Sequence, residues 1–281
     1  LNFVIMKTKL LVPTDFTNEA HSAIQHAVKL GVIVQAEVIL LNVVKDKSDI
    51  PAATTKLKEE EKWAKTVNDQ IDVRSIVRVG NIFDDIGDAA SELGVSLIIM
   101  GTHGASGWQK ITGSYALKVI TNSSVPFIVV QDQLMNDTGY DSIVVPLDLN
   151  NETKQKLEMV ASIAHYFDSE VHLITPNESD EFLSNKLKAN RIWAAKYLKG
   201  KNVKFTTQIV DDGDNLLEGV FKLSKKVEAD LIAIMNLQKN SLMGVLGSSY
   251  QQEIIANKAK VPVLCLNPLK STIASGSILV R

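Results

Sequence analysis

Several features that mark specialised classes of protein are scarce or missing in this sequence. Its 281 residues include one cysteine, Cys265, which excludes an intrachain disulfide and a CxxC metal site. Aromatic residues make up 6% of the chain and do not alternate with basic ones, so no pattern for binding nucleic acid is present. The 30 basic and 32 acidic residues leave a formal net charge of -2, which does not draw nucleic acid or an anionic membrane to the chain as a whole.

The apolar runs that insert into membranes are also missing. No run reaches the length of a bilayer span, and the opening residues Leu1 to Ile5 are too few for the core of a signal peptide. From these absences we expect a cytoplasmic protein whose partners include neither nucleic acid nor a membrane. The composition that remains, 45% hydrophobic and 22% charged, is typical of a soluble globular protein, and the length fits two domains of ordinary size.

Apolar, β-branched runs alternate with segments of helical periodicity along the first half of the chain. Strands are predicted at 9–15, 38–44, 73–79, 95–100 and 125–130, and helices from the cap Thr17 to Gly31, over 56–67 after a loop at Pro51, over 82–93 and from Ser114. Continuous apolar strands of this kind are buried on both faces of a parallel sheet. The alternation therefore predicts an α/β fold with a doubly wound, Rossmann-like parallel sheet and right-handed crossovers.

Three predictions concern polar or reactive side chains outside the motifs. The charged run at 58–62 is predicted to be a solvated helix face with ion pairs. Four histidines lack a second ligand at metal spacing and are assigned surface or packing roles, namely His21, His26, His165 and His172. Cys265 lies in the apolar run 261–266, so it is predicted to be buried in a strand.

The same pattern restarts in the second half. Val145-Pro146-Leu147-Asp148 repeats Val12-Pro13-Thr14-Asp15 after 133 residues, and Gly247-Ser248 repeats Gly113-Ser114 after 134. A repeat of this length, with almost no insertions, predicts two copies of one α/β unit in tandem.

The predicted strand at 95–100 leads into a loop, Gly101-Thr102-His103-Gly104, and Gly113-Ser114 opens the next helix. Glycines let a backbone approach an anion closely, and the free amides of a helix N-terminus attract negative charge, so this pattern indicates a phosphate site. A tight strand-to-helix connection gives the same pattern, and the residues alone leave both interpretations open. In the second copy, Met235 and Gln238 stand where the first copy has Gly101 and Gly104. We therefore predict one competent site, in the first half, and a degenerate one in the second.

These motifs together resemble the universal stress protein family. The residues that carry the resemblance are the runs 11–17, Gly80-Asn81, 97–104, Gly113-Ser114 and 125–130. The whole chain is similar to a tandem member of the family, with two domains that each hold a five-stranded parallel sheet flanked by helices. One subgroup of the family binds ATP, so the resemblance implies that the first domain binds ATP or AMP, with or without Mg²⁺.

Matched residue by residue, the resemblance implies a set of nucleotide contacts. Residues at the ends of the first two strands contact the adenosine part, and the glycine loop with the next helix holds ribose and phosphates. The implied residues are Pro13, Thr14, Asp15, Val43, Met100, Gly101, Thr102, His103, Gly104, Gly113, Ser114 and Tyr115. No catalytic residue and no metal ligand is implied. The stretch 105–112 has eight residues where the ATP-binding members have nine.

The resemblance also sets the expected domains and partners. It implies domains at 1–133 and 141–268, with a polar linker at 131–140 and a tail at 269–281. Because the family's domains commonly pair through their last strands, the segments 127–130 and 263–266 are expected to meet within one chain, and a homodimer is a further expectation. The expected function is that of a nucleotide-sensing stress protein whose affinity for a regulatory partner changes when the site is filled.

Two other functions stay open at this point. A stress scaffold without any ligand is favoured by the eight-residue loop and by the altered second copy. A slow ATP hydrolase is the other, although the sequence has no GxxxxGK[ST] phosphate loop and no recognisable pair of catalytic base and metal.

Overall fold

The structure, a computed structural model, describes residues 8–102, 113–150, 154–236 and 248–268. The chain divides into two units, residues 1–135 and residues 136–281. The division falls within the polar stretch 131–140. Each unit is an α/β fold in which the strands of a parallel sheet and the inner faces of the helices supply the buried residues.

Strands and helices alternate through the first unit. The strands are β1 (Lys9–Pro13), β2 (Glu37–Val44), β3 (Asp72–Val79), β4 (Leu97–Gly101) and β5 (Phe127–Val130). The helices are α1 (Asn18–Ile33), α2 (Ile50–Val67), α3 (Ile82–Leu93) and α4 (Gly113–Thr121), with a single 3₁₀ turn (Lys47–Asp49) before α2. Neighbouring strands pair in parallel in the order β3-β2-β1-β4-β5. Within the described residues this is the five-stranded doubly wound sheet that the sequence predicts.

The second unit repeats this plan. Its strands are β6 (Ser142–Pro146), β7 (Glu170–Thr175), β8 (Lys204–Ile209), β9 (Leu231–Met235) and β10 (Val263–Leu266). Its helices are α5 (Lys156–Phe167), α6 (Glu181–Gly200), α7 (Leu216–Lys226) and α8 (Ser248–Ile255). The described strands again pair in parallel, in the order β8-β7-β6-β9-β10. The tandem repeat read from the sequence is therefore a repeat of the fold.

Side-chain caps fix where several helices begin and end. The Thr17 hydroxyl accepts a hydrogen bond from the Ala20 amide at 3.3 Å, which confirms the predicted cap of α1. Asn81 caps α3 in the same way, and that helix ends at Gly94, whose φ of 64° lies in the left-handed region that favours glycine. A reciprocal capping box between Asn215 and Glu218 begins α7. These caps set the short connections that follow the carboxyl ends of the strands.

Helix α2 begins earlier than the sequence predicts. The predicted loop at Pro51 is wrong, because α2 begins at Ile50 and Pro51 lies in its first turn. Proline is tolerated there, since the amides of a first helical turn have no partner within the helix. Pro51, at which the sequence predicts a loop, therefore marks the start of a helix.

The stretch 131–140 is bound to the units rather than free. The Met135 carbonyl accepts hydrogen bonds from Gln25 Nε2 at 3.2 Å and from Lys29 Nζ at 3.0 Å, both on α1. His26 of α1 lies 3.1 Å from the carbonyl oxygen of Gln133, and burial lowers the pKa of His26 to about 4. The segment predicted to be a polar linker is thus an anchored part of the first unit up to Met135. The packing role predicted for His26 is confirmed.

Candidate functional site

The pairing of β1 with β4 ends before the carboxyl ends of both strands, where β1 closes on Pro13, a residue without a backbone N–H to donate. Of their described residues, only Leu10 pairs with Leu97 and Leu11 with Ile98, near the start of both strands. Each strand stays paired with its other neighbour, β2 or β5, to its last residue. The strand order also reverses here, because the chain builds outward from β1 on one side and from β4 on the other. Crevices at such reversals, outside the carboxyl ends of the strands, are where doubly wound sheets bind ligands.

Thr14, the first residue after β1, is held by four hydrogen bonds that the structure describes. Its amide donates to Leu41 O at 2.8 Å, and its carbonyl accepts from Asn42 Nδ2 at 2.7 Å. Its hydroxyl accepts from the Phe16 amide at 3.0 Å and donates to Glu60 Oε2 at 3.3 Å. The buried Thr14 therefore fixes the path of the loop that borders the crevice.

Glu60 of α2 lies beside this loop as a buried acid, 4% exposed. Its Oε1 lies 2.9 Å from His21 Nε2 of α1, and His21 stacks on Trp63 with ring centroids 4.7 Å apart. Burial raises the pKa of Glu60, and the neighbouring His21 opposes that change. The prediction of a solvated face at 58–62 is therefore wrong at Glu60, because this residue points to the inner side of the helix.

Asp15 is the exposed acid at the mouth of the crevice. Its Oδ1 accepts hydrogen bonds from the Thr17 amide at 3.2 Å and from the Thr17 hydroxyl at 2.5 Å. Phe16 between them has a φ of 67°, in the left-handed region. A carboxylate in this position can accept hydrogen bonds from the hydroxyls of a sugar, because both of its oxygens are acceptors only.

Gly101, the last residue of β4, makes a close approach to α1. A β-carbon on Gly101 would lie 2.4 Å from the carbonyl oxygen of Glu19 and 2.7 Å from the amide nitrogen of Ala20, both backbone atoms. The next residue, Thr102, is 2% exposed, and its amide and hydroxyl both donate to Val130 O, at 2.8 and 3.4 Å. Gly101 is therefore needed for the packing of a helix on a strand, a role that the sequence did not reveal.

The remaining predicted site residues are distributed over four elements, apart from two that the structure does not describe. Pro13 ends β1, Val43 is a partly buried residue of β2, Met100 is a buried residue of β4, and Gly113, Ser114 and Tyr115 form the start of α4. His103 and Gly104 lie outside the described residues. The structure thus brings the ends of β1 and β4 together with the start of α1. Val43 lies on β2, which β1 separates from β4.

Pairing between β6 and β9 of the second unit ends early in the same way, and β6 also closes on a proline, Pro146. Among their described residues they pair only at Ile143 with Leu231 and at Val144 with Ile232. The ends of β6 and β9 stay paired with β7 and β10, respectively. The crevice at the strand reversal is therefore a feature of both units, and the two crevices can be compared residue by residue.

Lys156 occupies the carboxyl end of β6 in this second crevice. It is the first residue of α5 and is 2% exposed, and its Nζ donates to Pro146 O at 2.5 Å. Burial lowers the pKa of Lys156 to about 8, an effect that the nearby Asp148 carboxylate opposes. Asp148 is itself 4% exposed and accepts hydrogen bonds from the Asn150 amide at 2.8 Å and from its Nδ2 at 3.0 Å. A cation of the chain itself thus lies where the first unit has no charged side chain.

Two further ionisable groups lie close enough to interact with this pair. The Tyr250 hydroxyl of α8 is buried and has no hydrogen-bond partner within the described ranges. Burial raises the pKa of Tyr250, and the Asp148 charge adds to that rise. Burial also raises the pKa of Cys265 to about 12, which Lys156 opposes. Cys265 is fully buried in β10, as predicted.

Sequence reasoning missed Asn42, Glu60 and Lys156, although each left a signal. Asn42 interrupts the apolar run of β2. Glu60 lies on the buried stripe of α2, between Leu57 and Ala64 at helical spacing. Lys156 follows Ala23 by the repeat distance of 133 residues, and Ala23 is fully buried in α1. Lys156 could have been identified from the sequence as a charged residue at a position that is apolar in the other copy of the repeat.

His172 of β7 is 7% exposed, and its Nδ1 lies 2.7 Å from Thr206 Oγ1, in keeping with the packing role predicted for it. In the described ranges no group of three or more His, Cys, Asp or Glu side chains could hold a metal ion. A search of the same residues for a helix long and apolar enough to cross a membrane finds none.

Comparison with known proteins gives consistent matches. The model of the universal stress protein family matches residues 6–131. A universal stress protein of Methanocaldococcus jannaschii is 30% identical over 156 residues, which cover 45% of this chain and 96% of that protein. One from Synechocystis sp. is 34% identical over 140 residues, which cover 45% of this chain and 87% of that protein.

The crystal structure of a universal stress protein from Archaeoglobus fulgidus is similar along nearly the whole chain. The match has a TM-score of 0.72 and covers 94% of this chain and 99% of that one. Sequence identity in this match is 19%, so the similarity concerns the fold alone. It extends over both units, which agrees with the repeat of the fold.

Proposed function

The chain belongs to the universal stress protein family, and on that premise we propose that its first unit binds an adenine nucleotide, ATP or AMP, in the crevice between β1 and β4. Filling of the crevice changes the affinity of the protein for a regulatory partner in the stress response. The proposal makes the protein a nucleotide-dependent regulator rather than an enzyme.

The reversal of strand order between β1 and β4 is the observation that carries this proposal, because doubly wound sheets bind ligands at such a reversal, outside the carboxyl ends of the strands. Pairing of the two strands ends early there, and the loop after β1 is fixed by the hydrogen bonds of Thr14. The backbone beside the crevice is already ordered, so the protein loses little conformational entropy when a ligand binds there. Such a site favours a ligand with several polar groups. The exposed Asp15 at the mouth adds an acceptor for ribose hydroxyls.

Residue roles follow from combining this geometry with the family resemblance. Asp15 and Val43 are assigned to the adenosine part, at the ends of β1 and β2. The phosphates are assigned to the loop that contains Gly104 and to Gly113-Ser114, where α4 begins and the free amides of its first turn attract anions. The nucleotide is proposed to bind with or without Mg²⁺.

The second unit supports a stoichiometry of one nucleotide per chain. Lys156, Asp148 and Tyr250 are buried around the end of β6, so a nucleotide would have to displace buried ionisable side chains, of which Lys156 and Asp148 are already hydrogen-bonded within the unit. The first crevice requires no such displacement, because Ala23 stands at the repeat position of Lys156. We therefore assign nucleotide binding to the first unit alone.

Calorimetric titration of the full chain with ATP and with AMP, each with and without Mg²⁺, tests the proposal. Mass spectrometry of the purified protein should come first, to detect nucleotide carried through purification. We expect about one nucleotide per chain. No binding and no carried nucleotide would contradict the proposal and favour a ligand-free scaffold, whereas release of inorganic phosphate during titration with ATP would favour the slow hydrolase.

A pair of matched variants locates the site. Gly104→Arg fills the expected phosphate space in the first unit, and Gln238→Arg introduces the same side chain at the repeat position in the second unit. We expect the first variant to lose nucleotide binding while keeping its circular dichroism spectrum, and the second to bind like the unaltered chain. Equal affinities in both variants would show that the first crevice is not the site.

A further inference from the structure

Helix α6 of the second unit carries large apolar side chains on its solvent face. Phe182 is 72% exposed, Ile192 58% and Trp193 40%. Single exposed apolar residues are ordinary, whereas several on one element mark a surface for interaction. The opposite side of the helix, with Leu187 and Ala194 buried, already packs on its own unit. The exposed side chains are therefore not required by the fold.

These side chains lie along one side of the helix. Successive residues turn about 100° around a helix and rise about 1.5 Å, so Phe182 and Trp193 lie within about 20° of each other and about 16 Å apart along the axis. Ile192 is about 80° around from Phe182 on the same outward side. The exposed Ala189 lies between Phe182 and Trp193, while the exposed Asn185 and Lys196 lie on the same side of the helix. The result is a narrow stripe of apolar side chains, interspersed with polar ones, on a convex surface.

Lysines flank the aromatic part of this stripe. Trp193 stacks on Tyr197, with ring centroids 5.4 Å apart and an interplanar angle of 15°. The Lys154 Nζ lies 5.2 Å from the centre of the Trp193 ring, and the Lys201 Nζ lies 5.8 Å from that of Tyr197. The two ammonium groups lie over the ring faces. Aromatic rings next to lysines of this kind are common at a membrane interface.

The charge of α6 is strongly positive for a chain whose formal net charge is -2. The helix contains five basic residues and one acidic residue. Its counterpart in the first unit, α2, contains four basic and three acidic residues and has no large apolar side chain among its exposed residues. The expectation that no membrane is a partner rested on the charge of the whole chain, which conceals this local excess.

We propose that α6 lies flat on an anionic phospholipid bilayer, with Phe182, Ile192 and Trp193 in the interface and the lysines on the lipid headgroups. A bilayer accepts a convex amphipathic helix without a complementary groove. A stripe about 16 Å long is small for a stable protein interface, which needs about 800 Å² on each partner. The proposal is independent of nucleotide binding in the first unit.

Sedimentation with vesicles tests this directly on the full chain. Vesicles of mixed phosphatidylglycerol and phosphatidylcholine should bring down the protein at low salt, and vesicles of phosphatidylcholine alone should not. The double variant Phe182→Ser, Ile192→Ser should weaken binding about tenfold or more, because the apolar contribution is lost. Absence of binding to the anionic vesicles, or equal binding to both kinds, would overturn the proposal.

Charge reversals on the two counterpart helices supply the matched control. Lys188→Glu with Lys196→Glu on α6 should reduce vesicle binding about tenfold or more, while Lys62→Glu with Lys65→Glu on α2 should change it little. Equal losses in both pairs would indicate a general charge effect and overturn the proposal. Binding to polyglutamate is a further test. If the protein binds polyglutamate as strongly as it binds vesicles, and the serine variants do not weaken that binding, the partner is an acidic protein and the proposal is overturned.

Discussion

Glu60 joins three elements of the first unit through one carboxylate. It belongs to α2, and its oxygens bond Thr14 after β1 and His21 on α1. A buried charge is costly unless it is paired, and burial raises the pKa of Glu60. The position of the loop at the proposed nucleotide site is thus linked to a protonation equilibrium on a neighbouring helix.

We expect this equilibrium to appear in the stability of the protein. Because the pKa of Glu60 is raised in the folded state, folded protein keeps its proton at pH values where the unfolded chain, with a pKa of 4.5, has lost it. The contribution of Glu60 to the free energy of unfolding therefore falls as the pH rises from 4.5 through the raised pKa. Glu60→Gln should remove this component, because an amide does not titrate.

Urea unfolding of both proteins at successive pH values between about 4 and 8 measures the difference. The glutamine keeps the size of the side chain and a group that can accept from Thr14, so the variant should remain folded. Curves of free energy against pH that run parallel in the two proteins would contradict a buried, titrating Glu60.

Lys156 should give the opposite dependence at higher pH. Its pKa is lowered to about 8 in the folded state against 10.5 in the unfolded chain, so between these values the unfolded state binds more protons and stability rises with pH. The rise should amount to roughly 3 kcal/mol, since one pKa unit corresponds to about 1.4 kcal/mol. Lys156→Met should lack it.

The comparison with the variant is needed because Cys265 and Tyr250 also titrate in alkaline solution. Burial raises the pKa of both groups, which makes stability fall with pH, and both remain in Lys156→Met. The difference between the two proteins in urea unfolding from about pH 7.5 to 10.5 isolates the lysine. A difference that does not vary with pH would mean that Lys156 is not buried as a cation.

Among the elements, the contact of α1 with β4 shapes the crevice of the first unit. The backbone of the first turn of α1 lies against Gly101, and the cap at Thr17 fixes where that turn begins. In the second unit Met235 stands at the position of Gly101. A side chain on Gly101 would meet the backbone of α1, so the first unit needs a glycine there.

Gly101→Ala should destabilise the first unit by about 1–3 kcal/mol, because the added β-carbon meets backbone that can move only if α1 shifts. Gly200→Ala is the control, since a β-carbon at Gly200 has no atom within 4 Å. Urea unfolding compares the two variants with the unaltered chain. Equal stability of Gly101→Ala and Gly200→Ala would contradict the close packing of α1 on β4.

For the molecule as a whole, two units of one fold differ in what occupies their crevices. The second buries Lys156 and Asp148 at the end of β6, whereas the first has Ala23 at the repeat position of Lys156. We therefore propose different tasks for the two copies, ligand binding in the first and, through α6, surface binding in the second. Pairing of the units through β5 and β10, and a homodimer, stay predictions.

Unequal crevices predict unequal responses to a ligand. ATP at about one hundred times its dissociation constant should stabilise the unit that binds it by about 2.7 kcal/mol, which raises the midpoint of that unit by roughly 5–10 °C. Differential scanning calorimetry of the full chain should show one transition shifted by ATP and another unchanged. A shift of the whole profile would mean that both units bind, or that they unfold as one.

The fold was predictable from the sequence to a large extent, while side-chain networks were not. The apolar runs of β1 and β4 identified buried strands, since strands covered on both faces leave no polar alternation. Pro51 misled the prediction because proline marks both loops and first helical turns. Glu60 was misplaced because a charged run looks solvated until the inner side of its helix is identified. His103 and Gly104 lie outside the described residues, so their roles stay predictions.

The sequence by itself determined the α/β class, the tandem repeat, the family and the positions of most strands, because hydrophobic periodicity and repeat spacing are local properties of the chain. Only the tertiary structure determined that the strand order reverses between β1 and β4, that Gly101 faces α1, and that Lys156 is buried at the end of β6. Each of these depends on contacts between residues far apart in the chain. Such contacts depend on how helices and strands pack together. The spacing of residues along one segment does not specify that packing.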